Sequence, residues 1–287
     1  MNYVHFIITQ FNLRNFLQSD SKSYESWVHW TRERITLFRE YCLPSVLNQT
    51  NKSFLWFLYF DTDTPGEFDD FLNELKAYDF IIICHSKGYE GFIKDYPGEV
   101  KSRVPSSADW IITTRIDNDD CLHKDAVKII QDNIICKHKY LISLASGYIL
   151  DVYERTMSHY FYPMSPFLSL IENVDLEVKG IFEMGHTKWS VLRLFVFREV
   201  WHEFFSRNSR KARFILKRPM WIQLYHGKNV SNSFYRGLPV LRKKQLHDFS
   251  LGLTTFGQPW FRVFKYMNYV TWKRYFKSLI IKIIIGI

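Results

Sequence analysis

The chain opens on a short apolar run, Tyr3 to Thr9, and three more of the same kind follow at Phe54 to Phe60, Phe80 to Cys84 and Trp110 to Ile116. Each is brief, nearly continuous and rich in β-branched or aromatic residues, which predicts strands buried on both faces. Between the first two, Trp27, Trp30, Arg34, Leu37, Phe38 and Tyr41 recur at intervals of three to four. That spacing predicts a helix over Tyr24 to Asn48, with Pro44 starting a new turn or segment inside it. Thr64-Pro65-Gly66 marks a break, and Glu67 to Tyr78 reads as a short amphipathic helix. Lys87 to Pro105 is polar and carries glycine, so it reads as a loop with room for one helical turn. Asp125 to Ile135 predicts a helix, and Tyr140 to Leu144 and Tyr148 to Tyr153 predict strands.

Buried strands alternating with helices predict an α/β fold with a mostly parallel central sheet covered on both faces. Ligands of such sheets bind beyond the carboxyl ends of the strands. Polar groups stand just past three of those ends: Gln10, Asn12 and Arg14; Asp61 and Asp63; and Asp117 to Asp120. The second half is less regular, with a large apolar stretch at Trp189 to Trp201 and a basic one at Arg207 to Arg218. A polar segment, His226-Gly227-Lys228-Asn229-Val230-Ser231-Asn232, follows Trp221 to Tyr225. Neither repeats nor a low-complexity linker divide the chain, so one domain is expected over residues 1–257, followed by a tail over 258–287.

Composition changes this picture in two places. The net charge is +9, but no acidic residue follows Asp248, and six basic groups (Arg262, Lys265, Lys273, Arg274, Lys277, Lys282) lie in the tail. The remainder carries only +3, so the positive field is local and suits an anionic neighbour, lipid or nucleic acid. Aromatic residues interleave with those charges, which predicts an interfacial helix; a helix docked on the main domain is the competing reading. The four cysteines form no C-x-x-C pair, which gives no support to a zinc site, and three read as buried thiols suited to a reducing compartment. The first residues lack a basic n-region and read as strand rather than signal peptide, and no apolar run is long enough to span a bilayer. A cytoplasmic location is expected, with peripheral contact at the inner face of the membrane.

The acidic cluster Asp117-Asn118-Asp119-Asp120 carries the candidate chemistry. In extended backbone, residues i and i+2 share a face, so Asp117 and Asp119 would present two carboxylates to one ligand site. Magnesium and manganese prefer such oxygens, with water and phosphate completing the shell, and can offset charge on a departing diphosphate. The competing reading is a solvated turn that caps the next helix. Counted from Asp117, an EF-hand would need Gly at the sixth position, where Leu122 stands, so a calcium loop is excluded. Arg115 precedes the cluster and could brace it or meet phosphate.

The chain resembles a bacterial family named "putative rhamnosyltransferase". The resemblance rests on Phe6-Ile7-Ile8-Thr9-Gln10-Phe11-Asn12-Leu13-Arg14, Arg34-Ile35-Thr36-Leu37-Phe38, Tyr41-Cys42-Leu43-Pro44-Ser45, Phe60-Asp61-Thr62-Asp63-Thr64-Pro65, Thr114 to Asp120 and His226 to Asn232. It implies a GT-A-like nucleotide-sugar-binding fold with a C-terminal helical extension, and a glycosyltransferase activity with rhamnose as the candidate sugar. On that resemblance Thr9, Phe11, Asn12 and Arg14 would meet the nucleotide, Phe11 by stacking on the base and Arg14 at the diphosphate. Asp61 would accept a hydrogen bond from the base, or else serve as a turn residue. Arg115, Asp117, Asn118 and Asn229 complete the nucleotide-sugar candidates. Asp119 would hold manganese or magnesium, with Asp117 and His226 as further ligands; His226 is equally open to a structural role.

An inverting transfer needs a base for the acceptor hydroxyl. Glu183 and His186 are the candidates, with Glu172 and Asp175 competing. The expected partners are a nucleotide-sugar donor and a surface-polysaccharide or lipid-linked glycan acceptor. A nucleic-acid-binding protein and an inert sugar-binding relative are the alternatives; no nucleic-acid motif is present, and the first of these leaves the acidic cluster without a purpose.

Overall fold

In the computed structural model, the structure describes residues 2–14, 24–162, 165–183, 212–216, 218–226, 240, 243–252 and 276. A seven-stranded sheet is built from β1 (Tyr3–Gln10), β2 (Leu55–Asp61), β3 (Ile81–Ser86), β4 (Trp110–Arg115), β6 (Tyr140–Leu144), β9 (Leu168–Asn173) and β10 (Ala212–Ile215), in the order β10-β6-β9-β4-β1-β2-β3. The four strands expected first, β1 to β4, are there and pair in parallel. The sheet as a whole is mixed, because β9 runs antiparallel to both β4 and β6.

A smaller sheet contains β5 (Cys121–Leu122), β7 (Ser146–Asp151), β8 (Thr156–Phe161) and β11 (Trp221–Tyr225), in the order β5-β11-β7-β8. The chain passes between the sheets at Ala145, where β6 ends and β7 begins. Gly147 is required at this crossing, because a Cβ there would lie 2.1 Å from Trp221 Cδ2. The indole fills that space, stacking on Phe167 at 4.7 Å and donating through Nε1 to the Leu144 carbonyl at 2.6 Å.

The pleat divides the core. Ile7 and Trp56 face one side of the main sheet with Trp27, Ile35, Phe38 and Phe71, while Phe6, Ile8 and Phe57 face the other with Phe92 and Tyr96. The first side is covered by α1 (Tyr24–Leu37), α2 (Leu43–Leu47), α3 (Asp69–Leu75) and α5 (Ala126–Asp132). A π-helical turn, Phe38–Cys42, joins α1 to α2, with the Leu43 N–H bonded to the Phe38 carbonyl. Pro44 explains it. Proline has no N–H to donate, and its ring would crowd the carbonyl four residues back in a regular helix, so the wider turn relieves both problems.

The other side is covered by α4 (Gly88–Ser102), where a loop was expected. Gly88, Gly91, Pro97 and Gly98 argue locally against a helix. The buried stripe Phe92, Tyr96 and Val100 outweighs them, because its spacing of four places all three rings or branches against the sheet. Of the tail expected to form a helical extension, only Phe276 lies within the described residues; it is helical and half exposed. Among the described residues no helix is long and apolar enough to cross a membrane.

Candidate active site

Three polar strand ends do meet at one edge of the main sheet. The chain after β1 is tied to the end of β2 through Asn12, whose Oδ1 accepts the Asp61 N–H at 3.0 Å and whose amide reaches Thr64 Oγ1 at 3.1 Å. It is tied to the acidic cluster through Asn118, whose amide donates to the Phe11 carbonyl at 2.7 Å. Both asparagines are buried, and the amide and carbonyl of Asn12 are both spent on these joints.

Several expected nucleotide contacts prove to be part of this framework. Thr9 is buried, with its hydroxyl accepting from Trp56 Nε1 at 2.9 Å. Phe11 is buried too, stacked on Phe60 at 4.5 Å and edge-on to Phe38 at 5.2 Å. A ring enclosed in this way offers no face to a base, so the stacking role is not available to it here. Asp61 accepts three backbone N–H groups: Arg14 at 3.0 Å and Gly88 at 3.2 Å on Oδ2, and Asp63 at 3.0 Å on Oδ1. It therefore joins the loops after β1 and β2 to the first turn of α4, where a carboxylate also suits the positive end of the helix. Arg14 is partly exposed at the surface, paired with Asp63 at 2.6 Å and lying over the rings of Trp27 and Tyr24.

The acidic cluster is a turn rather than a continuation of β4. The strand ends at Arg115, and the Asp120 N–H bonds back to the Asp117 carbonyl at 3.2 Å. The alternation expected of extended backbone therefore fails, and the carboxylates diverge. Asp117 turns to Arg115, with Nη2 at 3.0 Å from Oδ1, and the same guanidinium lies 5.3 Å from the Phe182 ring centre. Asp119 turns inward, where its Oδ2 accepts from Arg34 Nη1 and lies 3.0 Å from His226 Nε2. Asp120 accepts the Leu224 N–H at 3.2 Å.

The two sheets explain this convergence. β5 follows Asp120 directly and pairs antiparallel with β11, matching Cys121 to Ile222, so His226 at the end of β11 arrives beside Asp119. Arg34 comes from α1, held in place because Cys121 Sγ meets the Tyr41 carbonyl at 3.4 Å and the Leu122 N–H donates to Ser45 Oγ at 3.1 Å. Its guanidinium lies 5.0 Å from the centre of the Trp30 ring. Arg34 was legible only as one position on the helical stripe. The available signal was a charge among Trp27, Trp30 and Leu37 on the face predicted to be buried, where an arginine needs a partner.

Burial works against a charge on Asp119, but Arg34 and His226 outweigh it and hold its carboxyl below the usual range. Asp120 feels Arg34 as the least of its influences. Burial, then the charges of Asp119 and Asp117, push it well above that range, and the Leu224 N–H offsets this only in part. The titrations of two adjacent carboxyls are thus pushed in opposite directions, because one faces Arg34 and His226 and the other faces carboxylates.

Among the described residues no three His, Cys, Asp or Glu side chains group as a metal site. Two donors do face each other, Asp119 Oδ2 and His226 Nε2, 3.0 Å apart. Donors about 2.1 Å from one octahedral ion lie about 3.0 Å apart on adjacent positions, and magnesium usually takes only one or two protein carboxylates, with water and phosphate supplying the rest. The separation of the pair matches that spacing, while Asp117 is turned to Arg115.

Glu183 stands elsewhere. Its carboxylate is bound by Lys139 Nζ at 2.8 Å, with Lys179 at 3.5 Å. Lys139 precedes Tyr140, which the register places level with Ile112 through Ile171. Glu172 is buried and accepts the Lys179 and Gly180 N–H groups at 3.0 and 2.8 Å, so it too is committed to holding a loop. His186 and Asn229 lie outside the described residues.

The family model described as "Putative rhamnosyl transferase" matches residues 27–237. The chain belongs to that family and is classed with the glycosyltransferases; Arg34, the acidic cluster and His226 all fall within the matched span. No curated protein matches the sequence. Solved structures similar to the chain include the crystal structure of S. aureus TarS 1-349, at 10% identity over 78% of this chain and 60% of that one, with a TM-score of 0.39. The same fragment in complex with UDP aligns at 11% identity over 78% and 61%, with a TM-score of 0.37. The chain thus spans about three-fifths of the length of those two.

Proposed function

We propose that this chain transfers a sugar, with rhamnose as the first candidate, from a nucleoside-diphosphate donor to a hydroxyl of a surface-polysaccharide or lipid-linked glycan acceptor. The observation that carries this reading is the meeting of Asp119, His226 and Arg34 where the ends of β4 and β11 adjoin the loop after β1. A diphosphate leaving group gains negative charge as the glycosidic bond breaks, and a preorganised cationic site lowers the barrier most where water is excluded. When bound, a magnesium or manganese ion would supply part of that positive charge, held by Asp119 and His226. Arg115, half-buried at the rim of the turn, can turn from Asp117 to a phosphate, since its planar fork suits either anion.

The base for the acceptor hydroxyl is assigned neither to Glu183, which is ion-paired with Lys139, nor to any other described side chain. The tail is read as the contact with anionic lipid on the cytoplasmic side. The test is a thermal-shift panel of UDP, dTDP and GDP, each with and without manganese, followed by transfer assays with the matching rhamnose donor. Metal-dependent stabilisation by one nucleotide supports the reading. Absence of stabilisation by all three, with salt-sensitive RNA binding instead, would remove it.

A further inference from the structure

We propose that Arg34 gates the cation site. It holds Asp119 while no donor is bound, and yields the carboxylate to a divalent ion only when a diphosphate arrives to engage the guanidinium. The inference rests on the reading above and adds to it an order of events.

The argument starts from a conflict of charge. Asp119 Oδ2, the oxygen that faces His226, is also the oxygen that accepts from Arg34. All three side chains are buried. A divalent ion placed on that oxygen would lie beside a guanidinium with little water to screen the repulsion. Arginine cannot relieve the repulsion by losing its proton. It can only move, or gain an anion. A diphosphate supplies the anion, because a guanidinium that pairs with a carboxylate pairs equally well with phosphate oxygens. The ring of Trp30 faces the guanidinium and can keep it near the site during the exchange. Metal and nucleotide then promote each other's binding, and linkage makes the effect equal in both directions.

The full chain is tested by equilibrium dialysis against manganese, alone and with UDP, dTDP and GDP in turn. Manganese should bind the wild type about tenfold or more tightly once the matching nucleotide is present. Arg34→Gln, with its fold checked by circular dichroism, should bind manganese alone about tenfold more tightly than the wild type, and the effect of nucleotide should largely vanish. Arg34→Lys keeps the charge and should keep the wild-type dependence. The gate is overturned if the wild type binds manganese equally well with and without every nucleotide, or if a folded Arg34→Gln protein binds it no better than the wild type. Should Arg34→Gln not fold, the wild-type comparison decides alone. If a nucleotide stabilises the wild type but manganese never binds, the metal part of the proposed function fails, and the gate fails with it.

Discussion

Asp61 and Asp119 look alike in the sequence: each is an aspartate just beyond an apolar strand, and each is buried. Their partners separate them. Asp61 is held by three backbone N–H groups, from two loops and the first turn of α4. Asp119 is held by two side chains, Arg34 and His226. A backbone amide cannot leave without moving the chain, whereas a side chain can rotate away when a better partner arrives. The first carboxylate therefore braces the edge of the sheet, and the second can exchange ligands.

The largest test of that contrast is Asp119→Asn. It keeps the size of the side chain but removes the charge, and should cut transfer by about 100-fold or more, in line with losing one preorganised electrostatic contact. Melting temperature should fall as well, because buried Arg34 loses its counter-charge. Near-wild-type turnover would erase the distinction. Asp119→Ala is the poorer variant, because both changes take the counter-charge from buried Arg34 but only Asn keeps an oxygen that can accept from it.

Asp61→Ala should show the opposite profile. Three amides lose a charged acceptor, so urea denaturation should register a loss of about 2–4 kcal/mol. Activity per folded molecule, measured well below the melting temperature, should survive. Selective loss of activity in a protein of normal stability would return Asp61 to the nucleotide.

A smaller effect is expected from the buried network under β1. His5 Nε2 lies 2.7 Å from Thr114 Oγ1, with Gln131 Nε2 3.2 Å from Nδ1. Burial pushes the His5 imidazole down to about 3 from 6.5. Between those values the unfolded chain takes up a proton that the folded chain refuses, so stability falls as pH drops through that window. The slope from this one group is at most about 1.4 kcal/mol per pH unit. His5→Asn should flatten the melting-temperature profile between pH 6.5 and 4; an unchanged profile would show that other groups set it.

The smallest effect belongs to Glu183→Gln. Its ion pairs with Lys139 and Lys179 are partly exposed, and such pairs contribute about 0–1 kcal/mol. Transfer should change less than about threefold, since the carboxylate is already held by the two lysines. A loss on the scale of Asp119→Asn would restore it as the base.

Much of the framework is legible in the sequence. Strands β1 to β4 begin and end within a residue or two of the apolar runs, because a strand buried on both faces must be apolar throughout its length. Three of the four cysteines were expected to be buried, and Cys42, Cys84 and Cys121 are. Helix α4 was not legible, because three glycines and a proline outweigh a three-residue stripe when only local preference is considered. The antiparallel β9 was not legible either, since strand direction depends on partners far along the chain.

The sequence by itself determined that a cluster of aspartates follows a buried strand in a glycosyltransferase-family chain, because apolar length and residue order are local properties. Only the tertiary structure decided which aspartate does what. The turn at Asp117 to Asp120 sends neighbouring carboxylates in different directions. The pairing of β5 with β11 and the packing of α1 then bring His226 and Arg34, distant in sequence, to one of them. Charge state and exchangeability depend on such neighbours, and those are properties of the folded chain.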